Sequence, residues 1–492
     1  MDQGISIKVK SGLKWNLLNK IISQLIFVWF GIYLARLIGP KAYGLIGMVT
    51  IFSSFANVFV DFGFSSSVIY FQDLNRKKLS SVFWFNLLTS IFIYLIFYFL
   101  APVLADFYNE PRVTFLTRIV SLSIIIYSLT SLQNALLTKK LEFKLIIYAS
   151  WISMIISYLV AFYLAFKGYG VMSLVAQTLV QSSVNSLCLW FTSKWKPLLF
   201  LSYGDLKAML GYGSGVAGTN ILGYLTRNVD NLIVGKFLGD ATLGLYTRSY
   251  SLMMLPITNI SSIFSKVLFP AFSSMQNDKE GLRNYYLVVV KYIAFVTFPL
   301  MFGFSSCARE FVFVFLGNKW LEAIPLIQML SVLGAFQSVL SLNGIIFNST
   351  GSSKVGLTTT LIFNLILIPA WLIGIFLYGI KGMVFSYTLV GIVGVLPILS
   401  IAVKKIGLSL LDVFNELKAI LIASVVLMLF NYFVLGALMI DNKLVLLLKI
   451  FLGIIVYFLV LWLLDKKIVK FFYRKVINAY EKFFKKNNKE NI

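Results

Sequence analysis

The chain contains no histidine and only two cysteines in its 492 residues. The absence of histidine removes the most frequent general base and the most frequent metal ligand. Cys188 and Cys307 each lie in an apolar run, and two isolated thiols supply neither a disulfide framework nor a metal cluster. We therefore expect a protein that is not an enzyme, with no catalytic residue, no metal site and no resident cofactor.

Charged residues are also scarce, at 13% of the chain, whereas soluble proteins carry about 25%. Hydrophobic residues make up 59%, and they occur in runs of about 20 residues, the length of a helix that spans a membrane. The predicted fold class is all-α, a polytopic membrane protein with fourteen transmembrane helices. These helices are predicted near residues 15–38, 42–70, 82–105, 113–136, 145–166, 170–193, 206–236, 242–270, 284–308, 323–347, 355–378, 380–403, 416–438 and 443–465.

The net charge of +24 has to be sorted by side of the membrane before it indicates any partner. Lysine and arginine cluster in the connections after predicted helices two, four, six and twelve, at residues 76–78, 139–144, 194–196 and 404–405. The positive-inside rule then places these connections and both termini in the cytoplasm. The charge therefore predicts contact with membrane lipids and no nucleic-acid partner.

Two short stretches of the chain match each other in the two halves. Residues 37–45 (LIGPKAYGL) align with residues 237–245 (FLGDATLGL), which pairs Gly39 with Gly239 and Gly44 with Gly244. Six predicted helices separate the copies, and an even number of crossings gives both copies the same orientation. The sequence therefore predicts two parallel six-helix repeats plus two extra C-terminal helices, with a substrate site between the repeats near mid-membrane.

The predicted organisation has five parts. They are an N-terminal six-helix bundle (1–193), a cytoplasmic linker (194–205), a C-terminal six-helix bundle (206–403), transmembrane helices thirteen and fourteen (404–465) and a basic cytoplasmic tail (466–492). The tail carries phenylalanines among its lysines, and it is either an amphipathic segment on the anionic inner leaflet or a solvated extension. The short external connections leave little room for an outer active site.

Charged and polar side chains inside the apolar runs mark the predicted substrate path. A charge near the bilayer centre costs about 3 kcal/mol, so it normally faces protein or water. Cations outnumber carboxylates in these runs, which predicts an anionic substrate. Arginine clamps phosphate oxygens with two hydrogen bonds, lysine supplies a point charge, and amides suit sugar hydroxyls. The predicted substrate-binding residues are Lys20, Arg227, Arg248, Asn259 and Lys266.

Asp230 follows Arg227 by three residues, and two roles are open for it. It either neutralises Arg227, or it joins Asn364 and Thr388 in offering oxygen ligands to Na⁺ or in carrying a coupling proton. Asp61 is the equivalent candidate for ion coupling in the first half. Lys449, near the beginning of predicted helix fourteen, is expected to extend to the lipid headgroups.

The run 227–239 (RNVDNLIVGKFLG), followed by 243–250 (LGLYTRSY) and 267–276 (VLFPAFSSMQ), resembles the Wzx-type lipid-linked polysaccharide flippases. These form the polysaccharide transporter branch of the multidrug/oligosaccharidyl-lipid/polysaccharide exporter superfamily. Residues 34–44 (LARLIGPKAYG) and 61–69 (DFGFSSSVI) are similar to the first two helices of that family. The resemblance is closest to the colanic-acid and teichuronic-acid exporters.

The resemblance implies a flippase of the bacterial cytoplasmic (inner) membrane. Such a protein moves undecaprenyl-diphosphate-linked oligosaccharide from the cytoplasmic to the outer leaflet by alternating access, driven by a Na⁺ or H⁺ gradient, for surface polysaccharide biosynthesis. A polymerase and other export machinery are the implied protein partners. Arg227 and Arg248 match family positions, for which a role at the substrate phosphates is implied, whereas Lys20 and Lys266 rest on the residue pattern alone.

Three other functions compete with this interpretation. A drug or metabolite antiporter of the same superfamily is the first, although a cationic interior disfavours the cationic drugs that such antiporters usually export. A polysaccharide polymerase or ligase is the second, and the missing histidine and short external loops argue against it. A scaffold that transports nothing is the third, and it should tolerate neutralisation of Arg227 and Arg248.

Overall fold

The computed structural model describes residues 3–275, 278–436 and 442–470. All the regular secondary structure in these residues is helical and they form no strand, so the predicted all-α class is confirmed. The α-helices are α1 (Gln3–Ile38), α2 (Pro40–Asp61), α3 (Phe64–Tyr70), α4 (Arg76–Tyr108), α5 (Arg112–Val120), α6 (Leu122–Lys139), α7 (Phe143–Phe166), α8 (Val171–Ser193), α9 (Tyr203–Ser274), α10 (Lys279–Ser306), α11 (Ala308–Phe311), α12 (Ala323–Leu340), α13 (Asn343–Ser349), α14 (Ser353–Lys404), α15 (Leu410–Leu429) and α16 (Asn442–Leu464).

Ten segments within these described ranges are long and apolar enough to cross a membrane. The chain is therefore a multi-pass membrane protein, as its composition predicts. The number of fourteen helices and the two six-helix repeats stay predictions. Most of the predicted basic tail, residues 471–492, lies outside the described residues.

The chain divides into two compact units, Met1–Arg248 and Ser249–Ile492. The boundary falls inside α9. Residues 194–205 are predicted to be a cytoplasmic linker between two six-helix bundles, and this assignment of the linker to one side of the membrane stays a prediction.

In the first unit, α7 packs against α1 and α8, and α6 packs against α4 and α8. The first part of α9 lies along α2 and α3. The Ser67 hydroxyl donates a 3.0 Å hydrogen bond to the Met209 carbonyl, and the Tyr224 hydroxyl donates a 2.6 Å bond to the Ile51 carbonyl. These bonds satisfy polar side chains inside an apolar assembly, where an unpaired polar group would be costly.

In the second unit, α10 packs against α12 and α15, and α15 packs against α16. The buried hydroxyls of Thr297 and Ser338 lie 2.7 Å apart and form one hydrogen bond between α10 and α12. An apolar cavity of about 640 Å³ lies among α10, α15 and α16. The lining is aromatic and aliphatic except for a few polar groups, which include Asn431 and Lys449.

Both of the longest helices are interrupted. Gly239 interrupts α9 with φ 80° and ψ −176°, and Tyr378 and Gly379 interrupt α14. A positive φ is accessible to glycine because it lacks a Cβ atom. Each long helix therefore consists of two helical segments that change direction at a glycine.

Candidate functional site

The two matched sequence motifs share a backbone conformation and contact each other within the first unit. Gly39 has φ 91° and ψ 171°, close to the values at Gly239. A Cβ atom on Gly44 would overlap the backbone carbonyl of Asp240, and one on Gly244 would overlap the carbonyl of Pro40. The contact is thus reciprocal, and it requires that both positions lack a side chain.

Arg248 lies a few residues beyond this contact and is buried, with 6% of its surface exposed. Its guanidinium carbon lies 5.2 Å from the ring centre of Phe27 and 5.6 Å from that of Tyr43. A Cβ atom on Gly31 would come within 3.3 Å of the guanidinium, so this glycine leaves room for it. Helices α1 and α2 therefore place two aromatic rings against the cation.

The Asp230 carboxylate is buried in the first unit, and its hydrogen bonds come from residues other than Arg227. It accepts a 2.7 Å hydrogen bond from the Tyr246 hydroxyl and a 2.8 Å bond from the Asn231 backbone N–H. No ion pair joins Arg227 to Asp230 in the part of the chain that the structure describes, although their spacing on a helix allows one. Arg227 itself is exposed.

Lys20 is half-buried in α1. The neighbouring polar face of this helix is fixed to α7, because the Trp151 indole donates a 2.9 Å hydrogen bond to the Asn19 amide oxygen. The side chains of the other two predicted substrate residues, Asn259 and Lys266, lie outside those that the structure describes.

The predicted ion-coupling residues fall in both units. Asp61 accepts hydrogen bonds from the backbone N–H and the hydroxyl of Ser65. Thr388 donates a 2.8 Å bond to the Val384 carbonyl, and Asn364 is half-buried in α14. The described residues contain no group of three histidine, cysteine, aspartate or glutamate side chains that could hold a metal ion.

Lys449 does not extend to the headgroups, and that expectation is wrong. Only 3% of Lys449 is exposed, and its ammonium lies 2.8 Å from the carboxylate of Glu310, which is itself 5% exposed. The Ser306 carbonyl accepts a further 3.3 Å hydrogen bond from the same ammonium. These oxygens replace the solvation that the lysine would have found at the membrane surface.

A polar cavity of about 210 Å³ in the first unit was also not predicted from the sequence. Eight of its ten lining residues carry polar side chains, which makes it unlike the apolar surroundings. The lining comes from α3, α6 and α8, where Tyr127, Thr130 and Asn185 are scattered singly among apolar residues. The only sequence signal was the presence of hydroxyl and amide side chains inside predicted membrane helices.

Comparison with known proteins covers most of the chain. The family described as "Polysaccharide biosynthesis protein" matches residues 33–325. The teichuronic acid biosynthesis protein TuaB of Bacillus subtilis (strain 168) is 25% identical over 354 residues, which cover 71% of this chain and 73% of that protein. The lipopolysaccharide biosynthesis protein WzxC of Escherichia coli (strain K12) is 25% identical over 405 residues, 81% of this chain and 82% of that protein.

Among solved structures, the lipid II flippase MurJ in an inward closed conformation is similar with a TM-score of 0.76. The sequences are 18% identical, and the match covers 94% of this chain and 100% of that one. A likeness at this level of identity shows the fold. The resemblance to polysaccharide flippases that the sequence motifs indicated is confirmed by the family match, which spans more than half of the chain. The chain belongs to the polysaccharide biosynthesis protein family.

Proposed function

We propose that this protein is a flippase that moves undecaprenyl-diphosphate-linked oligosaccharide from the cytoplasmic to the outer leaflet for surface polysaccharide biosynthesis. The observation that carries the proposal is the family match over residues 33–325, in a chain whose described residues form helices and no strand. The names of its relatives connect them with teichuronic acid and lipopolysaccharide, and the similar solved fold is that of a lipid II flippase.

The proposed protein crosses the membrane fourteen times, with both termini in the cytoplasm of a bacterial cell. The interruptions at Gly239 and at Tyr378–Gly379 support this number, because each long helix then supplies two crossings. Val171–Ser193 is long enough to supply another. The shared conformation of Gly39 and Gly239 supports two parallel six-helix repeats that alternate in access to the two sides.

The proposed substrate contacts are made by cations for the diphosphate and by an apolar surface for the lipid chain. Arg227 and Arg248 are proposed to bind the phosphates, with Lys20, Asn259 and Lys266 along the path. Support comes from Arg248, a cationic side chain that is buried against two aromatic rings. The apolar cavity of about 640 Å³ that α15 and α16 border has the chemistry of a site for the hydrocarbon chain.

Coupling to a Na⁺ or H⁺ gradient is proposed to involve Asp61, Asp230, Asn364 and Thr388. The burial of Asp230, 5% exposed, supports a role in which its charge state matters, because a buried carboxylate is stable only with specific partners. The protein would then act as an antiporter, and a polymerase would take the product at the outer surface.

Deletion of the gene in its host tests the proposal. We expect loss of surface polysaccharide and accumulation of the lipid-linked oligosaccharide in the inner leaflet, both reversed by a plasmid copy. A drug antiporter would leave the polymer intact and change drug tolerance. A polymerase would leave single repeat units on the outer surface, and either result would overturn the proposal.

A further inference from the structure

The polar cavity of the first unit lies between α3, α6 and α8, and the segments that contain α3 and α6 are long and apolar enough to cross a membrane. Its volume of about 210 Å³ equals that of about seven water molecules, at roughly 30 Å³ each. Hydroxyl and amide side chains facing lipid would be costly, so such a cavity faces water or a polar ligand. Its size admits one ring of a sugar.

Hydroxyl oxygens in the lining are oriented as acceptors. Thr130 donates its proton to the Ile126 carbonyl at 2.9 Å, and Ser182 donates to the Thr178 carbonyl at 2.9 Å. Each hydroxyl proton is therefore used within its own helix, and the oxygen retains lone pairs for a ligand O–H. The hydroxyl of Ser65 is likewise used, since it donates to the Asp61 carboxylate.

The two asparagines of the lining supply the matching donors. Asn134 lies on α6 and Asn185 on α8, and among the described residues neither amide forms a side-chain hydrogen bond. An amide presents two N–H donors and an acceptor oxygen, which suits the paired hydroxyls of a sugar ring. The ring of Tyr127 adds a flat apolar face with a hydroxyl at its edge.

Charge decides which part of an amphiphilic substrate fits here. None of the described residues that line the cavity is charged. Neutral groups do not compensate the dehydration of a diphosphate, which needs cations. The same neutral groups can form hydrogen bonds with sugar hydroxyls in place of those that water forms.

We propose that this cavity binds one uncharged sugar residue of the lipid-linked oligosaccharide, through the amides of Asn134 and Asn185 and the hydroxyls of Thr130 and Ser182. The inference rests on the proposed function and adds a subsite for the carbohydrate, separate from the arginines that bind phosphate. The cavity then selects for the presence of a sugar on the carrier lipid.

Binding of two probes to the purified full-length protein in nanodiscs tests this subsite: undecaprenyl diphosphate alone, and undecaprenyl diphosphate carrying a single glucose. We expect the wild type to bind the glucosylated lipid about tenfold more tightly, the size of one or two net hydrogen bonds. The double variant Asn134→Leu/Asn185→Leu should bind both lipids equally, with unchanged affinity for the bare lipid. Gln181→Leu, an exposed position on α8 outside the lining, is the matched control and should keep the preference.

Equal binding of both lipids by the wild type, or a preference that survives in the double variant, would overturn the subsite. If the double variant binds neither lipid, Thr130→Val, which removes only the hydroxyl, replaces it, and an unchanged preference there counts against the subsite. Failure of the proposed function looks different. In that case the wild type binds neither lipid and deletion of the gene leaves the surface polymer intact.

Discussion

Gly44 and Gly244 contact each other's helix backbones at the crossing of two matched motifs, so that a side chain at either position would overlap a carbonyl group. We predict that Gly244→Ala destabilises the protein by about 1–3 kcal/mol or prevents its folding, because the backbones must separate. Thermal unfolding in detergent measures the loss. Gly223→Ala is the matched control, since its Cβ atom would meet nothing within 4 Å. It should be neutral or stabilising, because alanine favours a helix. Equal unfolding temperatures for the two variants would contradict the prediction.

The glycine match shows what the sequence can predict. Apolar runs of membrane length predict helices well, because no other structure satisfies the backbone in lipid. The motif match predicted that Gly39 and Gly239 are equivalent, and their dihedral angles agree. The sequence did not indicate that the two copies contact each other, because that depends on how the helices cross.

Contacts between distant residues account for what the sequence missed. Glu310 and Lys449 are separated by 139 residues, and no periodicity relates them. Asp230 lies on a helical face with Arg227, yet the interruption at Gly239 brings Tyr246 to its carboxylate. The spacing along the helix therefore predicted a contact between Arg227 and Asp230, whereas tertiary packing brings Tyr246 to Asp230 instead.

The buried ion pair of Lys449 and Glu310 yields a second prediction. Lys449→Met should destabilise the protein by about 3–5 kcal/mol, because it leaves the Glu310 carboxylate buried without its partner. The double variant Lys449→Met/Glu310→Gln should recover most of that loss, since both charges are removed. Thermal unfolding of the two single variants and the double variant measures the coupling. Additive losses would show that the two side chains do not stabilise each other.

The hydrogen bond from Tyr246 to Asp230 yields a third prediction. Tyr246→Phe keeps the buried ring but removes the donor, so the carboxylate loses about 1–3 kcal/mol of stabilisation. Tyr224→Phe removes a hydroxyl that donates to a neutral carbonyl, that of Ile51, and should cost less. Unfolding temperatures of the two variants rank the bonds. A larger loss in Tyr224→Phe would show that the bond to Asp230 is not the stronger one.

The loop between α4 and α5 yields a prediction about pH. Hydrogen bonds from Arg112, at 2.7 Å and 2.8 Å, hold the pKa of Glu110 below its usual value. Because the pKa of Glu110 is lower in the folded protein than in the unfolded chain, its ionisation stabilises the fold at pH values above the unfolded pKa of about 4.3. This contribution is lost as the pH falls through the pKa of the folded protein. The wild type should therefore exceed Glu110→Gln slightly in unfolding temperature at pH 7 and equal it in strong acid. The gain is small because the pair is partly exposed to solvent. A constant difference across this pH range would exclude the pair as its source.

The last prediction concerns Arg248, whose guanidinium is enclosed by Phe27 and Tyr43. We expect Arg248→Ala to abolish surface polysaccharide in a strain whose chromosomal gene is deleted, while the protein still inserts in the membrane. Arg248→Lys should restore little, because an ammonium cannot bind phosphate through two parallel bonds. Arg227→Ala, at an exposed cation, should also abolish the polymer, and here Arg227→Lys should retain part of the activity because a point charge still reaches phosphate. Arg112→Ala, which removes the partly exposed ion pairs with Glu110 and Asp240, is the control and should leave the polymer at wild-type levels. Normal polymer in both alanine variants would remove the phosphate role from these arginines and leave the cations of α9 with a structural role alone.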